Sequence, residues 1–197
     1  MKRAEQSASV SIAKKSSRRS IAEHLGEIDA RTRRGWDEAI SRRILRSDSF
    51  RAARVVAGYI ALSDEANIDT VLAAAVLYGK TALVPAVCDD SLIFGRWRPC
   101  TVLRRSGLGV LEAAGGELRV NCAEPCLLLL PGRAFDSAGG RLGRGGGHYD
   151  RLLASPQPGV HPAGVGYEMQ LVESVPLAEH DRRVEMVFTE QRCLDCG

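Results

Sequence analysis

The chain is expected to fold as an α/β protein, an open three-layer α/β/α arrangement around a mostly parallel sheet, and three observations carry that expectation. Apolar runs of strand length alternate with segments of helical periodicity along the chain. The clearest of them, Cys126-Leu127-Leu128-Leu129-Leu130-Pro131, reads as a buried strand. It delivers a glycine-rich loop at its C-terminal end, and a helical segment follows that loop. Strand, loop, helix, strand is the repeating unit of a Rossmann-like sheet, whose ligands collect beyond the strand C-termini.

Taken in order, residues 1–12 are expected to be a disordered leader and 13–197 a single domain. From Lys14 to about Ile28 the apolar positions Ile21, Leu25 and Ile28 recur at helical spacing, and Arg31–Gly35 breaks the pattern. A second helix is expected from Trp36 to about Leu45, with Trp36, Ile40 and Ile44 on one stripe. Both helices carry basic opposite faces. Val55–Leu62 reads as a strand and Ile68–Leu77 as a helix, closed by Gly79 where a C-terminal glycine belongs. Thr81–Pro85 is the next strand, residues 91–97 and 101–104 read as short strands, and Gly107–Gly116 as a loop. After the 126–131 strand come a helix over Gly147–Ala154 and strands at Ala163–Tyr167 and Val184–Thr189. No internal repeat is present.

Hydrophobic content of 45% and charged content of 26% are globular values. The formal charge is only +3, yet residues 1–54 carry 14 Lys/Arg against 7 Asp/Glu, so the basic excess belongs to the N-terminal segment. Such a segment suits a polynucleotide or a polyanionic small molecule, and its few aromatics, Trp36 and Phe50, weaken the first reading. No apolar run approaches a membrane span and no secretion signal opens the chain, so a cytoplasmic location is expected. The six cysteines read as free thiols, and only Cys193 and Cys196 have close metal-like spacing.

The chemistry concentrates in Phe135–Arg151, which holds six glycines and three arginines. Glycines let backbone N–H groups approach oxygens without obstruction, and arginines answer negative charge with a planar fork of donors. That is the composition of a phosphate site. A flexible solvent loop accounts for the glycines but not for Leu142, Tyr149 and the charged residues between them. Gly143–Gly147 does not fit a dinucleotide fingerprint, and no GK[ST] follows as in a Walker loop; Gly79-Lys80-Thr81 follows a helix where it should precede one.

The pattern Pro131 … Ala134-Phe135-Asp136 … Gly140-Arg141-Leu142-Gly143 … Gly145-Gly146-Gly147 … Tyr149-Asp150-Arg151 resembles the signature of the 5-formyltetrahydrofolate cyclo-ligase (methenyltetrahydrofolate synthetase) family. The resemblance extends to Lys14–Arg19, Tyr59–Glu65, Leu83-Val84-Pro85, Phe94–Trp97, Gly109–Glu112 and Pro176 … His180-Asp181, so residues 14 to 190 are covered in order. His148 stands where the family usually has an aromatic residue.

The resemblance implies conversion of 5-formyltetrahydrofolate to 5,10-methenyltetrahydrofolate, with ATP as co-substrate, Mg²⁺ required, and ADP and phosphate released. It places the ATP phosphates over residues 141–147, on the loop N–H groups of Gly143, Gly145, Gly146 and Gly147 beside Tyr149. Arg144 is the expected clamp, and Arg141 either joins it or orients the loop. Lys14 and Arg18, at i,i+4 on one helix face, approach the nucleotide, with Asp181 as a helper; a solvated basic face is their alternative. Asp150 is the expected Mg²⁺ ligand, or else a helix-starting acid paired locally. Folate is expected near Tyr59, Glu65, Phe94, Trp97 and His148, with Glu65 close to the reacting formyl group unless it is only a polar loop acid. The expected state is a monomer without nucleic-acid or membrane partners. A paralogous phosphotransfer enzyme with altered folate use remains a rival, and a basic nucleic-acid-binding module is a second one.

Overall fold

The computed structural model describes residues 2–88, 91–101, 103–105, 111–113, 124–154, 158–178 and 181–197. Helix α1 spans Lys2–Gly26, α2 Ala30–Arg46 and α3 Asp48–Ala52, ahead of strand β1 at Val55–Ala57. Helix α4 (Asp69–Leu77) leads to β2 (Thr81–Cys88) and β3 (Ser91–Arg96), then to the short strands β4 (Leu103–Arg105) and β5 (Leu111–Ala113). Strand β6 (Cys126–Pro131) is followed by β7 (Ala134–Phe135), β8 (Arg141–Leu142) and α5 (His148–Ala154). Strands β9 (Val160–Val165), β10 (Met186–Phe188) and β11 (Cys193–Asp195) complete the chain.

The main sheet has seven strands in the order β11-β10-β9-β6-β1-β2-β3. Strand β1 pairs in parallel with both β2 and β6, and β6–β9 and β9–β10 are parallel as well. Both edges are antiparallel, β2–β3 and β10–β11. From β1 the chain moves outward to β2, whereas from β6 it moves the other way to β9, so the order reverses at the β1/β6 boundary. A crevice must open there, beyond the strand C-termini, because the connections leave in opposite directions.

Alternation along the strands sorts the core into two layers. Val56, Leu127, Leu129, Ala82 and Val84 join Ile21, Leu25, Ile40, Ile44, Val71 and Leu72 of α1, α2 and α4 on one face. Val55, Ala57, Leu83, Leu128 and Leu130 face the other side, where Tyr149, Leu152 and Leu153 of α5 pack on them. The three-layer expectation therefore holds, with the second helical layer reduced to seven-residue α5.

Several sequence expectations are corrected. Residues 2–12, expected as a disordered leader, are the opening turns of α1. The helix break falls at Glu27–Asp29 rather than Arg31–Gly35, because the Asp29 carboxylate accepts the N–H groups of Arg31 (2.9 Å) and Thr32 (3.0 Å) and starts α2 early. Strand β1 ends at Ala57, not Leu62: Gly58 lies so close to α4 that a Cβ there would sit 2.7 Å from Ile68 Cδ1. From Gly58 the chain turns over the end of the sheet, and this turn becomes one wall of the crevice. Of the loop expected at Gly107–Gly116, residues 111–113 form β5, paired antiparallel with β4; the rest, and His180, lie outside the described residues.

The glycine loop is anchored by a buried acid. Asp136 is 5% exposed; its Oδ1 accepts from Ala138 N (3.0 Å) and Gly140 N (2.7 Å), and its Oδ2 from Val175 N (2.7 Å). A Cβ on Gly140 would lie 2.4 Å from the same carboxylate, so only glycine lets the backbone close around it. Asp136→Ala leaves two buried N–H groups, of Gly140 and Val175, and the part-buried one of Ala138 without an acceptor, and the expected loss is about 3 kcal/mol of unfolding free energy, read in urea. A midpoint unchanged in urea would mean that the loop is held elsewhere.

Candidate active site

A cavity of about 470 Å³ occupies the crevice at the β1/β6 boundary. Its walls are Tyr59, Ile60, Leu62 and Glu65 after β1, Pro131 and Gly132 after β6, the whole run Arg141–Arg151, and Lys14 and Arg18 from α1. Pro85, Ala86 and Leu92 of the β2–β3 hairpin close the apolar side, and Asp181 the polar end. The phosphate-type loop and the basic face of the N-terminal helix, 125 residues apart in sequence, meet where Arg18 Nε donates to Gly143 O at 2.8 Å. One turn earlier, Lys14 Nζ pairs with Asp181 Oδ2, which also accepts Ala178 N at 2.6 Å.

Gly145 and Gly147 hold positive φ, +110° and +66°, so the loop backbone follows a path that L side chains rarely take. Arg141 runs beneath this loop with its side chain 2% exposed. It donates to Asp150 Oδ1 (2.9 Å) and Pro131 O (3.3 Å), and its guanidinium lies 5.5 Å from the centre of the Tyr149 ring. It ties the loop to the end of β6 and to the first turn of α5. Burial, together with the Glu65 charge, pushes the Tyr149 hydroxyl well above its ordinary titration range, so it is a neutral donor at physiological pH.

Arg144 reaches the other way, across the cavity. Its Nε donates to Glu65 Oε1 at 2.8 Å and its Nη2 pairs with Asp64 Oδ1. Glu65 Oε2 accepts Leu62 N at 3.0 Å, and its side chain is 10% exposed. Burial opposes charge on Arg144, but the Glu65 hydrogen bond and the two carboxylates outweigh it and hold the guanidinium above its ordinary value. Asp64 also meets Arg133 Nη1 at 2.6 Å through its Oδ2. Burial alone would raise its carboxyl, yet Arg133 and Arg144 prevail and lower it, so both pairs weaken only as pH falls below 3.8.

Tyr59 lines the cavity with its ring and donates from its hydroxyl to Ala66 O at 2.7 Å, pinning the turn that carries Glu65. Its hydroxyl is raised far above its usual value, first by burial and then by Glu65. His148 lies on the cavity wall, its Nδ1 2.9 Å from Arg151 Nη2; with arginine as the donor, Nδ1 accepts and the ring proton sits on Nε2.

Two expected folate contacts are not brought to the cavity. Phe94 is fully buried in the cluster of Val55, Leu83 and Leu128, and Trp97 packs in the opposite cluster with Ala82 and Val84. Phe94 follows the alternation of β3 into the core and Trp97 enters it just past the strand, where its backbone N–H donates to Ala82 O, and Leu92 lines the cavity instead. Asp64 and Arg133 are the residues that sequence reasoning missed. The adjacent acids after β1 were visible, but only the fold shows that Asp64 faces the two arginines.

Among the described residues no three His, Cys, Asp or Glu side chains converge into a metal-binding group. Asp150 lines the cavity beside the loop with one carboxylate oxygen given to Arg141. A single carboxylate suits Mg²⁺, which keeps waters and substrate phosphate oxygens as its other ligands.

The sequence profile of the 5-formyltetrahydrofolate cyclo-ligase family matches residues 10–190. The chain is 28% identical to 5-formyltetrahydrofolate cyclo-ligase of Mycolicibacterium smegmatis over 182 residues, covering 89% of each protein. It is 30% identical over 148 residues to that of Escherichia coli K12, covering 71% of this chain and 80% of the relative. The solution structure of Aquifex aeolicus 5,10-methenyltetrahydrofolate synthetase superposes with a TM-score of 0.80 at 26% identity, covering 93% of this chain and 92% of that one. The Mycoplasma pneumoniae 5,10-methenyltetrahydrofolate synthetase, at 18% identity and a TM-score of 0.70, shares the fold over 90% of this chain and 98% of that one. With the glycine loop, the α1 cations and the Glu65 turn assembled around one crevice and a profile match along nearly the whole chain, the protein belongs to the 5-formyltetrahydrofolate cyclo-ligase family.

Proposed function

We propose that the 470 Å³ crevice is where this chain performs its family's reaction, ATP-dependent closure of 5-formyltetrahydrofolate to 5,10-methenyltetrahydrofolate with release of ADP and phosphate. One observation carries the assignment of residues: Arg144 of the glycine loop is hydrogen-bonded to Glu65 of the opposite wall at 2.8 Å. A cradle for phosphates and a carboxylate for the folate are therefore within one side chain of each other, as transfer between the two substrates requires.

An N-formyl oxygen is a poor leaving group. In the reaction that oxygen takes the γ-phosphoryl, the bond to the ADP oxygen breaks, and the resulting iminium phosphate is attacked at carbon by the neighbouring folate nitrogen. The ring closes and phosphate leaves with the former formyl oxygen. The protein's contribution to such a transfer is alignment and charge stabilisation. Loop N–H groups of residues 143–147 receive the phosphate oxygens, and Arg144, Lys14 and Arg18 supply positive charge beside them. Asp181 holds Lys14 in place. Asp150 is the carboxylate for Mg²⁺, which neutralises polyphosphate charge when bound. Glu65 orients the folate and holds or accepts a proton at its carboxylate. Tyr59, through Ala66, keeps the Glu65 turn in place, and His148 presents an Nε2–H donor at the cavity wall. Leu92, Pro85 and Ala86 offer an apolar surface to a flat ring system. A monomeric enzyme in the cytoplasm fits this role; among the described residues no helix is long and apolar enough to cross a membrane.

The test is a coupled assay. Protein with Mg²⁺, ATP and 5-formyltetrahydrofolate is expected to form the methenyl chromophore with one ADP per ring closed, and Asp150→Asn to need more Mg²⁺ for half-maximal rate. ADP release that ignores folate points to a paralogous phosphotransfer enzyme, and an unchanged Mg²⁺ requirement removes Asp150 from the metal.

A further inference from the structure

Asp64 takes part in none of the chemistry above, yet its two oxygens ion-pair with arginines from different segments: Arg144 on the cavity wall and Arg133, next in sequence to the lining residue Gly132. Arg133 follows β6, where its backbone N–H donates to Leu142 O of β8 at 2.6 Å, and its side chain is 12% exposed. Arg144 belongs to the glycine loop, 38% exposed and, among the described residues, anchored at its tip by the Asp64 and Glu65 carboxylates. A long side chain on a loop built of glycines has many rotamers, and one hydrogen bond to Glu65 fixes a point rather than a plane. Two acceptors on adjacent residues, taken by Nε and Nη2, fix the plane of the guanidinium and so the direction of its remaining donors.

We propose that Asp64 is a positioning residue for the reaction: anchored by Arg133, it sets the plane of Arg144 over the cavity and locks the glycine loop to the Glu65 turn. The proposal rests on the reading of this crevice as the ligase site. Asp64 touches no substrate in this role. Its carboxylate neutralises part of the arginine pair, so its loss leaves the cationic charge available for ground-state binding of a polyphosphate. What is lost is alignment, which counts in the transition state more than in the bound complex.

Asp64→Asn keeps the shape of the side chain but turns one oxygen into a donor facing an arginine. The expected result is a kcat at least tenfold lower, a KM for ATP within threefold of the unaltered protein, and a melting temperature within a few degrees. Asp64→Glu, which keeps the charge, is expected to return kcat to within threefold. In an Arg144→Lys background, where the fork is already gone, Asp64→Asn is expected to cost no more than twofold, because both changes act through one guanidinium. Hydrogen exchange supplies a reading independent of turnover: amides of residues 143–147 are expected to exchange at least fivefold faster in Asp64→Asn. Unchanged exchange overturns the proposal whether or not the chromophore forms. So does an unchanged kcat, or an equal loss in both backgrounds. An unaltered protein that makes no chromophore, while its loop amides still depend on Asp64, defeats the ligase reading alone.

Discussion

Arg144→Ala is expected to cut turnover about a hundredfold to a thousandfold, the usual cost of deleting one preorganised donor at a site of developing charge, while barely moving the unfolding transition. The contrast follows from the partners that each carboxylate retains. Asp64 still faces Arg133 at 2.6 Å, and Glu65 still accepts the Leu62 N–H at 3.0 Å, so no buried charge is stranded. The arginine itself is 38% exposed, and partly exposed ion pairs contribute about 1 kcal/mol or less. On the proposed reading the chemistry, by contrast, loses a guanidinium that reaches from the glycine loop to Glu65 on the opposite wall, where phosphate charge is redistributed. Kinetics at varied ATP and folate with a parallel melting curve give both halves of the result. Steady-state constants equal to those of the unaltered protein would take Arg144 out of the site.

The place of Arg144 on a cavity wall was legible in the sequence because glycine-rich loops with interspersed arginines have few uses, and the 126–131 strand was legible because an unbroken apolar run between turn residues has few places to go. Strand β6 begins and ends where expected. Helix α2 starts ahead of the expected Trp36 for a local reason: the Asp29 carboxylate caps it, and the Arg31–Gly35 stretch is carried within it. Other features are not written locally at all. Phe94 and Trp97 are apolar in either role, and their burial on opposite faces of the sheet depends on the register between β3 and β2. Asp64 and Glu65 are equivalent as letters; they divide their tasks only because Arg133, 69 positions on from Asp64, arrives beside one of them. Pattern reading finds residues whose role is set by neighbours in sequence, and it misses those whose role is set by a partner in space.

Glu65→Gln is expected to lower the rate about a hundredfold at saturating folate and leave ATP binding near its original strength. The substitution preserves volume and one acceptor, so the amide oxygen can keep the Leu62 N–H bond that now measures 3.0 Å. The amide nitrogen then faces Arg144 Nε, donor against donor, and Arg144 falls back on Asp64 alone. ATP still meets the loop amides and an intact arginine, which is why its binding changes little. On the proposed reading the folate loses a negative charge and a proton acceptor beside its reacting groups, and positioned acid–base groups contribute about a hundredfold or more. Loss of the Glu65–Arg144 bond by itself cannot mimic this pattern, because Arg144→Ala breaks the same bond and is expected to depress both ATP binding and rate. Separate titrations of ATP and folate against the two variants therefore distinguish a carboxylate acting on folate from one that only holds the arginine. Equal effects on both substrates in both variants would assign Glu65 to the second role, and full turnover by Glu65→Gln at saturating folate would remove it from the chemistry.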